Sequence, residues 1–163
     1  MCASAQSSAA TKTELIRQAL VAGRVIQLRL SGTSMMPTLW PGDLVWVKPV
    51  KVEKLAPGDV ILFLRENRIM AHRIVGMDAP AGELVIRTRG DTLPAGDLPV
   101  RGSEVLGLVT AAQRFGTGWA ISRTPRLASR ILSRIVRRSD RFRHLLFSLN
   151  LKLSHNTRAR RAW

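Results

Sequence analysis

Cysteine, histidine and acidic side chains are all scarce in this 163-residue chain, and each shortage excludes something. The only cysteine is Cys2, so no internal disulfide can form and nothing argues for an oxidising compartment. That one cysteine and three scattered histidines, His72, His144 and His155, make no recognisable zinc site, and no other cofactor is expected. Long apolar stretches are missing too. The longest unbroken run is Val60-Ile-Leu-Phe-Leu64, whereas a membrane-spanning helix needs about 20 predominantly apolar residues. The N-terminus, MCASAQSSAAT, lacks the basic start and apolar centre of a secretory signal. The sequence therefore predicts neither a transmembrane segment nor export, and places the protein in the cytoplasm or peripherally on the inner membrane surface.

What is abundant is positive charge: 26 Lys and Arg against 11 Asp and Glu, a net +15. Residues 1–119 hold 14 basic and 10 acidic side chains, or +4, while residues 120–163 hold 12 basic ones and only Asp140, or +11. A nearly balanced domain is followed by a strongly basic tail. The length fits one domain with an appendage, and 45% apolar residues are enough for a folded core.

The Ala/Ser-rich residues 1–10 read as a flexible N-terminus. Thr11-x-x-Glu14 then reads as a capping box opening a short helix, with Leu15, Ile16, Ala19 and Leu20 at helical spacing and Gly23 as its stop. From Arg24 to Leu30 the period changes to two, with Ile26, Leu28 and Leu30 on one face, which predicts a strand. Further strand-like runs follow at Leu44–Val47, Val60–Leu64, Ile69–Val75, Leu84–Thr88 and Val105–Thr110. Pro41-Gly42-Asp43 and Pro57-Gly58-Asp59 place turn chemistry directly before two of them. The expected fold is mainly β, a compact antiparallel domain over residues 11–115. Residues 116–163 read as a linker, starting at Gly116-Thr-Gly118, and a helical tail. From Pro125 onward Leu127, Ile131, Ile135, Phe142, Leu145, Leu149 and Leu153 fall on one helical face and Arg126, Arg130, Arg134, Arg137 and Arg141 on another.

Ser34 stands in Ser31-Gly-Thr-Ser-Met-Met-Pro-Thr-Leu39, between a strand and a turn. A serine becomes a nucleophile when a base takes its proton, although serines are also common at such junctions for turn chemistry alone. The string GTSMMPTLWPGDLV resembles the nucleophile segment of type I signal peptidases and of the wider S24/S26 serine peptidase class, which includes LexA-type repressors. The resemblance implies that Ser34 is the nucleophile and that Met35 lines a shallow apolar groove for small substrate side chains. Ile69-Met-Ala-His72-Arg73-Ile-Val75 is similar to the segment in archaeal and endoplasmic-reticulum-type signal peptidases where histidine replaces the lysine base. Neutral imidazole suits that role near pH 7, while a lone histidine in a strand can equally be a core residue. Thr88-Arg-Gly-Asp91-Thr-Leu-Pro-Ala-Gly-Asp97 supplies two carboxylates; it resembles the Thr-Lys-Gly-Asp segment of the family, whose acid lies six residues further on. That carries the third member to Asp97, with Asp91 supporting the site around the turn; as sequence alone, either aspartate can simply start a turn. The resemblance covers about residues 25–110, with a signal-peptidase or LexA-like fold implied.

Two departures stand out. Gly32 occupies the position where many signal peptidases carry a hydroxyl two residues before the nucleophile, leaving the Ser34 amide and the neighbours Ser31 and Thr33 as candidate oxyanion donors. The usual membrane anchor of the family is also not seen. The expected activity is a serine endopeptidase cutting after small residues in a precursor peptide or protein. The alternative is a non-catalytic LexA-like β domain whose basic tail contacts nucleic acid or a protein, although only 33 residues precede Ser34. For the tail itself, three uses are open: packing on the domain or a partner, an anionic membrane surface met by residues 125–153, and, ranked last, nucleic acid, given sparse aromatics (Phe142, Phe147, Trp163).

Overall fold

The protein is described by a computed structural model covering residues 3–66, 68–80 and 83–124, with side chains from Thr11 onward. The predicted basic helix and its proposed contacts lie outside these residues.

Helix α1 runs Ala3–Val21, so it begins well before the expected start at Thr11. The Thr11/Glu14 pair is thus inside the helix rather than at its cap. Glu14 instead accepts from Arg17 at 2.8 and 2.9 Å and from Gln18 at 2.9 Å, the i,i+3 and i,i+4 pairings of a helix surface. Its end matches expectation. Gly23 has φ +77°, Gly23 N–H bonds Leu20 C=O at 3.0 Å, and Arg24 N–H reaches Ala19 C=O at 3.0 Å. That is the double closure of a Schellman motif. Ile16 and Leu20 point inward and are buried, while Leu15 is exposed. None of the described helices is long and apolar enough to cross a membrane.

Eight strands follow: β1 Ile26–Arg29, β2 Leu44–Lys48, β3 Val60–Arg65, β4 Arg68–Asp78, β5 Val85–Arg89, β6 Val100–Arg101, β7 Val105–Arg114 and β8 Thr117–Ala120. All pairings are antiparallel, in the order β1-β2-β7-β3-β4-β5-β6, with β8 beside β7. The mainly β, antiparallel expectation holds. The continuous apolar run of β3 has a simple cause, because both of its faces are covered. Val60 and Leu62 join a core with Ile16, Leu20, Met35, Leu39, Val45 and Val47, while Ile61 and Phe63 join a second core with Leu55, Ile74, Ile86 and Val100.

Two strands were not expected. β6 is only two residues long, directly after Pro99, below the length at which alternation can be seen. β8 contradicts the linker reading of Gly116-Thr-Gly118. Phe115 (φ +49°) and Gly116 (φ +90°) form a two-residue hairpin turn that brings Thr117 opposite Arg114. Both central residues are left-handed, as tight hairpins require. The sheet therefore extends to Ala120.

The two Pro-Gly-Asp tripeptides build the same turn twice. Gly42 and Gly58 have φ +94° and +97°, the left-handed value required of the third residue of a type II turn. Each aspartate then closes its turn: Asp43 takes the Trp40 N–H at 2.8 Å and Asp59 the Ala56 N–H at 3.0 Å. Each also receives a distant arginine with two hydrogen bonds, Arg114 on Asp43 (2.7 and 2.7 Å) and Arg123 on Asp59 (2.6 and 3.1 Å). Arg114 is further held between Trp40 and Trp119, 5.2 and 5.3 Å from their ring centres.

Candidate active site

Ser34 lies in the turn that leaves β1. Met36 N–H bonds Thr33 C=O at 3.2 Å and Leu39 N–H bonds Met35 C=O at 2.9 Å, while the Met36–Pro37 peptide is cis. The turn is pinned from across the molecule. Thr92 donates both its N–H (2.9 Å) and its hydroxyl (2.8 Å) to the Ser34 carbonyl. Gly90 explains how the two segments come so close. A Cβ there would lie 2.7 Å from the Ser34 carbonyl oxygen and 2.9 Å from the Ser34 Cβ, so only glycine fits.

His72 is on β4 opposite Ile61 of β3, almost fully buried, with its ring edge-on to Phe63 at 5.9 Å. Its Nε2 is 2.8 Å from Ser34 Oγ and its Nδ1 is 2.6 Å from Asp97 Oδ2. The network assigns the tautomer. An ionised carboxylate only accepts, so Nδ1 carries the proton and donates to Asp97, leaving Nε2 to accept from the Ser34 hydroxyl. Thus Ser34, His72 and Asp97, taken from three separate segments, form one continuous hydrogen-bonded chain.

Asp97 is fixed by its own neighbours. Its N–H bonds Thr88 C=O at 2.9 Å, and its Oδ2 accepts the buried Thr88 hydroxyl at 2.6 Å. Arg65 holds the following residues, donating to Pro99 C=O at 2.7 Å. Burial pushes the Asp97 carboxyl up, but the hydrogen bonds from His72 and Thr88, with the charges of His72 and Arg65, outweigh it and hold the group below the usual aspartate range.

Asp91 does not touch His72. It receives two hydrogen bonds from Arg73, at 2.9 and 3.0 Å, and one from the Thr38 hydroxyl. Arg73 also donates to Gly58 C=O (2.8 Å) and Ser122 C=O (3.1 Å). This buried pair ties together the serine turn, the second Pro-Gly-Asp turn and the chain leaving β8. Removing one partner of a buried ion pair strands the other charge. Arg73→Met is therefore expected to destabilise the protein by about 3–5 kcal/mol, seen as a lower urea midpoint, with Arg73→Met/Asp91→Leu recovering much of the loss. An unchanged midpoint in the single variant would contradict this role.

A cleft of about 280 Å³ opens beside Ser34 and His72. Met35, buried in the first core, lines it together with Leu28, Leu62, Ile69 and Ala71. Ser31 and Gly32 line it as well, and a Cβ at Gly32 would stand 4.0 Å from Ser34 Oγ. A side chain at position 32 would thus stand near the hydroxyl, but glycine offers no side-chain donor there. The Ser34 N–H has no hydrogen-bond partner among the described residues.

Thr88, Gly90, Thr92, Thr38 and Arg73 were not singled out from sequence. All five lie inside the segments that were, and their hydrogen-bond partners are 9 to 58 residues away. No family model matches the chain, and no curated protein matches it either.

Proposed function

We propose that this protein is a serine endopeptidase of the signal-peptidase-like class that cuts a precursor peptide or protein after small residues. The observation that carries the proposal is the Ser34–His72–Asp97 hydrogen-bonded chain opening into an apolar cleft. The Ser-Met-x-Pro-Thr-Leu, His-Arg and Thr-x-Gly-Asp resemblances point the same way, and with them a signal-peptidase or LexA-like fold.

The steps follow from the geometry. His72 Nε2 takes the Ser34 proton as Oγ attacks the peptide carbonyl carbon, and Asp97 stabilises the imidazolium that forms. The Ser34 N–H is available to the oxyanion, with Ser31, which lines the cleft, and Thr33 the candidates for a second donor. His72 then gives its proton to the leaving amine, breaking the C–N bond and leaving the acyl group on Ser34. Water, deprotonated by His72, attacks that ester and releases the acid, and the proton returns to Ser34.

The cleft suits an extended peptide. β1 pairs only with β2, so the other edge of residues 26–29 is unpaired among the described strands. β4 pairs with β5 only from Arg73 onward, so one edge of residues 69–72 is likewise unpaired. Both edges flank the cleft, and a strand added there gains main-chain hydrogen bonds. The apolar walls at Met35, Leu62 and Ala71 leave limited room, which favours small side chains at the cut.

The test is mass-spectrometric mapping of cuts in a diverse peptide library by wild type and Ser34→Ala. Cuts after small residues made only by wild type are expected. Cuts made equally by both proteins, or by neither, would overturn the proposal.

A further inference from the structure

A peptide plane can be held by its carbonyl as well as by its N–H, and both planes flanking Ser34 are held by their oxygens. The residue common to them is Thr92, buried at 1% exposure and presented by the turn Gly90–Leu93, which the Leu93 N–H closes on the Gly90 carbonyl at 3.0 Å. Its hydroxyl reaches two oxygens, the Ser34 carbonyl at 2.8 Å and the Thr33 carbonyl at 3.3 Å. One hydroxyl carries one proton, so this is a three-centre bond with its shorter branch on Ser34. The Ser34 carbonyl also accepts the Thr92 N–H at 2.9 Å, and the Thr33 carbonyl also accepts the Met36 N–H at 3.2 Å.

The Thr33–Ser34 peptide is trans, Met36–Pro37 being the only cis peptide among the described residues. In a planar trans peptide the C=O and N–H point to opposite sides. A Thr33 oxygen held toward Thr92 therefore directs the Ser34 N–H away from Thr92. Ser34 lines the cleft, whereas Thr33 and Thr92 do not. That N–H has no hydrogen-bond partner among the described residues, so a fixed donor stands open beside Oγ.

We infer that Thr92 is a positioning residue: by holding the Thr33 carbonyl, its hydroxyl turns the Ser34 N–H toward the oxygen that becomes negative when Oγ attacks. The inference rests on the peptidase reading and supplies what orients one of its oxyanion donors. Such a donor works by being aligned before charge develops, and its outright removal costs about 10²–10³-fold in kcat. Thr92→Val removes only the hydroxyl. The Thr92 and Met36 N–H bonds stay, so the turn remains closed and the donor is misaimed rather than lost. The expected fall in kcat is accordingly smaller, about fivefold to fiftyfold, with KM nearly unchanged. Thr92→Ser keeps the hydroxyl and is expected to retain most of the activity.

The test compares wild type, Thr92→Val and Thr92→Ser in peptide cleavage and in binding two ligands. One is a peptide boronic acid with the alanine side chain at the reacting position; the other is an unreactive peptide amide of the same sequence. Ser34 Oγ adds to boron, forming an O–B bond and breaking none, while His72 holds the serine proton. The tetrahedral adduct is negative and places an oxygen where the oxyanion forms. Thr92→Val is expected to bind the boronic acid about fivefold to fiftyfold more weakly than wild type, in step with its kcat, and the unreactive peptide equally well. Thr92→Ser is expected to stay close to wild type in all three. Equal weakening toward both ligands would mark a brace of the fold alone and overturn the inference. Unchanged kcat and boronate affinity in Thr92→Val, or a Thr92→Ser variant no better than Thr92→Val, would overturn it too, with the peptidase reading intact. A wild type that neither cuts peptides nor forms the boron adduct would overturn the peptidase reading itself, and the donor role with it.

Discussion

Replacing His72 by alanine is expected to lower kcat for a cleaved peptide by on the order of 10⁴-fold or more, with a much smaller change in KM. The imidazole is the only base within hydrogen-bond distance of Ser34 Oγ among the described residues, at 2.8 Å. Without it the hydroxyl must lose its proton to water, and the leaving amine has no acid. Binding in the cleft depends on other groups, so KM is largely spared. Because His72 is buried and packs against Phe63, the variant also leaves a void. Circular dichroism must therefore show that the sheet is retained. Added imidazole then provides the decisive control: partial recovery of turnover identifies a missing base, which a purely structural defect would not regain. Near wild-type turnover in a folded His72→Ala protein would refute the assignment.

Asp97→Asn carries the second large effect, a fall in kcat on the order of 10⁴-fold at neutral pH despite an almost isosteric change. The wild-type carboxylate accepts from both His72 Nδ1 and the Thr88 hydroxyl. An amide nitrogen in that position donates instead, which favours the tautomer with its proton on Nε2. That tautomer cannot accept the Ser34 proton, so geometry survives while function is lost. Stability gives a separate readout. The Asp97 pKa lies below that of an unfolded aspartate: burial raises it, but the His72 and Thr88 hydrogen bonds and nearby positive charge outweigh burial. Its contribution to stability is therefore fully present above the ordinary aspartate pKa, near 4, and is lost as pH falls through the lowered value. The amide of the Asp97→Asn variant has no proton to gain in that window, so the variant should lose less stability than wild type on acidification there. Equal acid sensitivity in urea titrations, together with undiminished turnover, would contradict the role given to Asp97.

The three site residues were legible through the resemblance of their segments to signal-peptidase motifs, since each residue type alone also fits a turn or a core. Ser34, His72 and Asp97 fall in three such segments, and the structure brings these three side chains together. The division of labour between Asp91 and Asp97 was open because both follow turns. Only the tertiary contact of Asp91 with Arg73, across 18 residues, removes it from His72. The same limit applies to Thr88 and Thr92, whose small hydroxyls show a role only when their partners are in place. Fold boundaries failed for different reasons. Thr11 and Glu14 are good capping residues within a segment that is already helical from Ala3, so a local signal was overridden by its context. Phe115-Gly116 is an unusual hairpin turn, since phenylalanine seldom adopts positive φ, and its glycines resembled those of a linker.

The central claim is that His72 makes Ser34 a nucleophile toward an acyl-like centre, and covalent trapping tests it most directly. A peptidyl diphenyl phosphonate with alanine at the reacting position would be incubated with wild type, Ser34→Ala and His72→Ala, followed by intact-mass measurement and peptide mapping. Attack by Oγ forms an O–P bond and breaks the P–O bond to phenoxide, which takes up the serine proton through His72 and leaves as phenol. The account predicts one adduct on Ser34 in wild type, none in Ser34→Ala, and strongly slowed labelling in His72→Ala. No adduct on wild type, or labelling of Ser34 at an equal rate without His72, would contradict it.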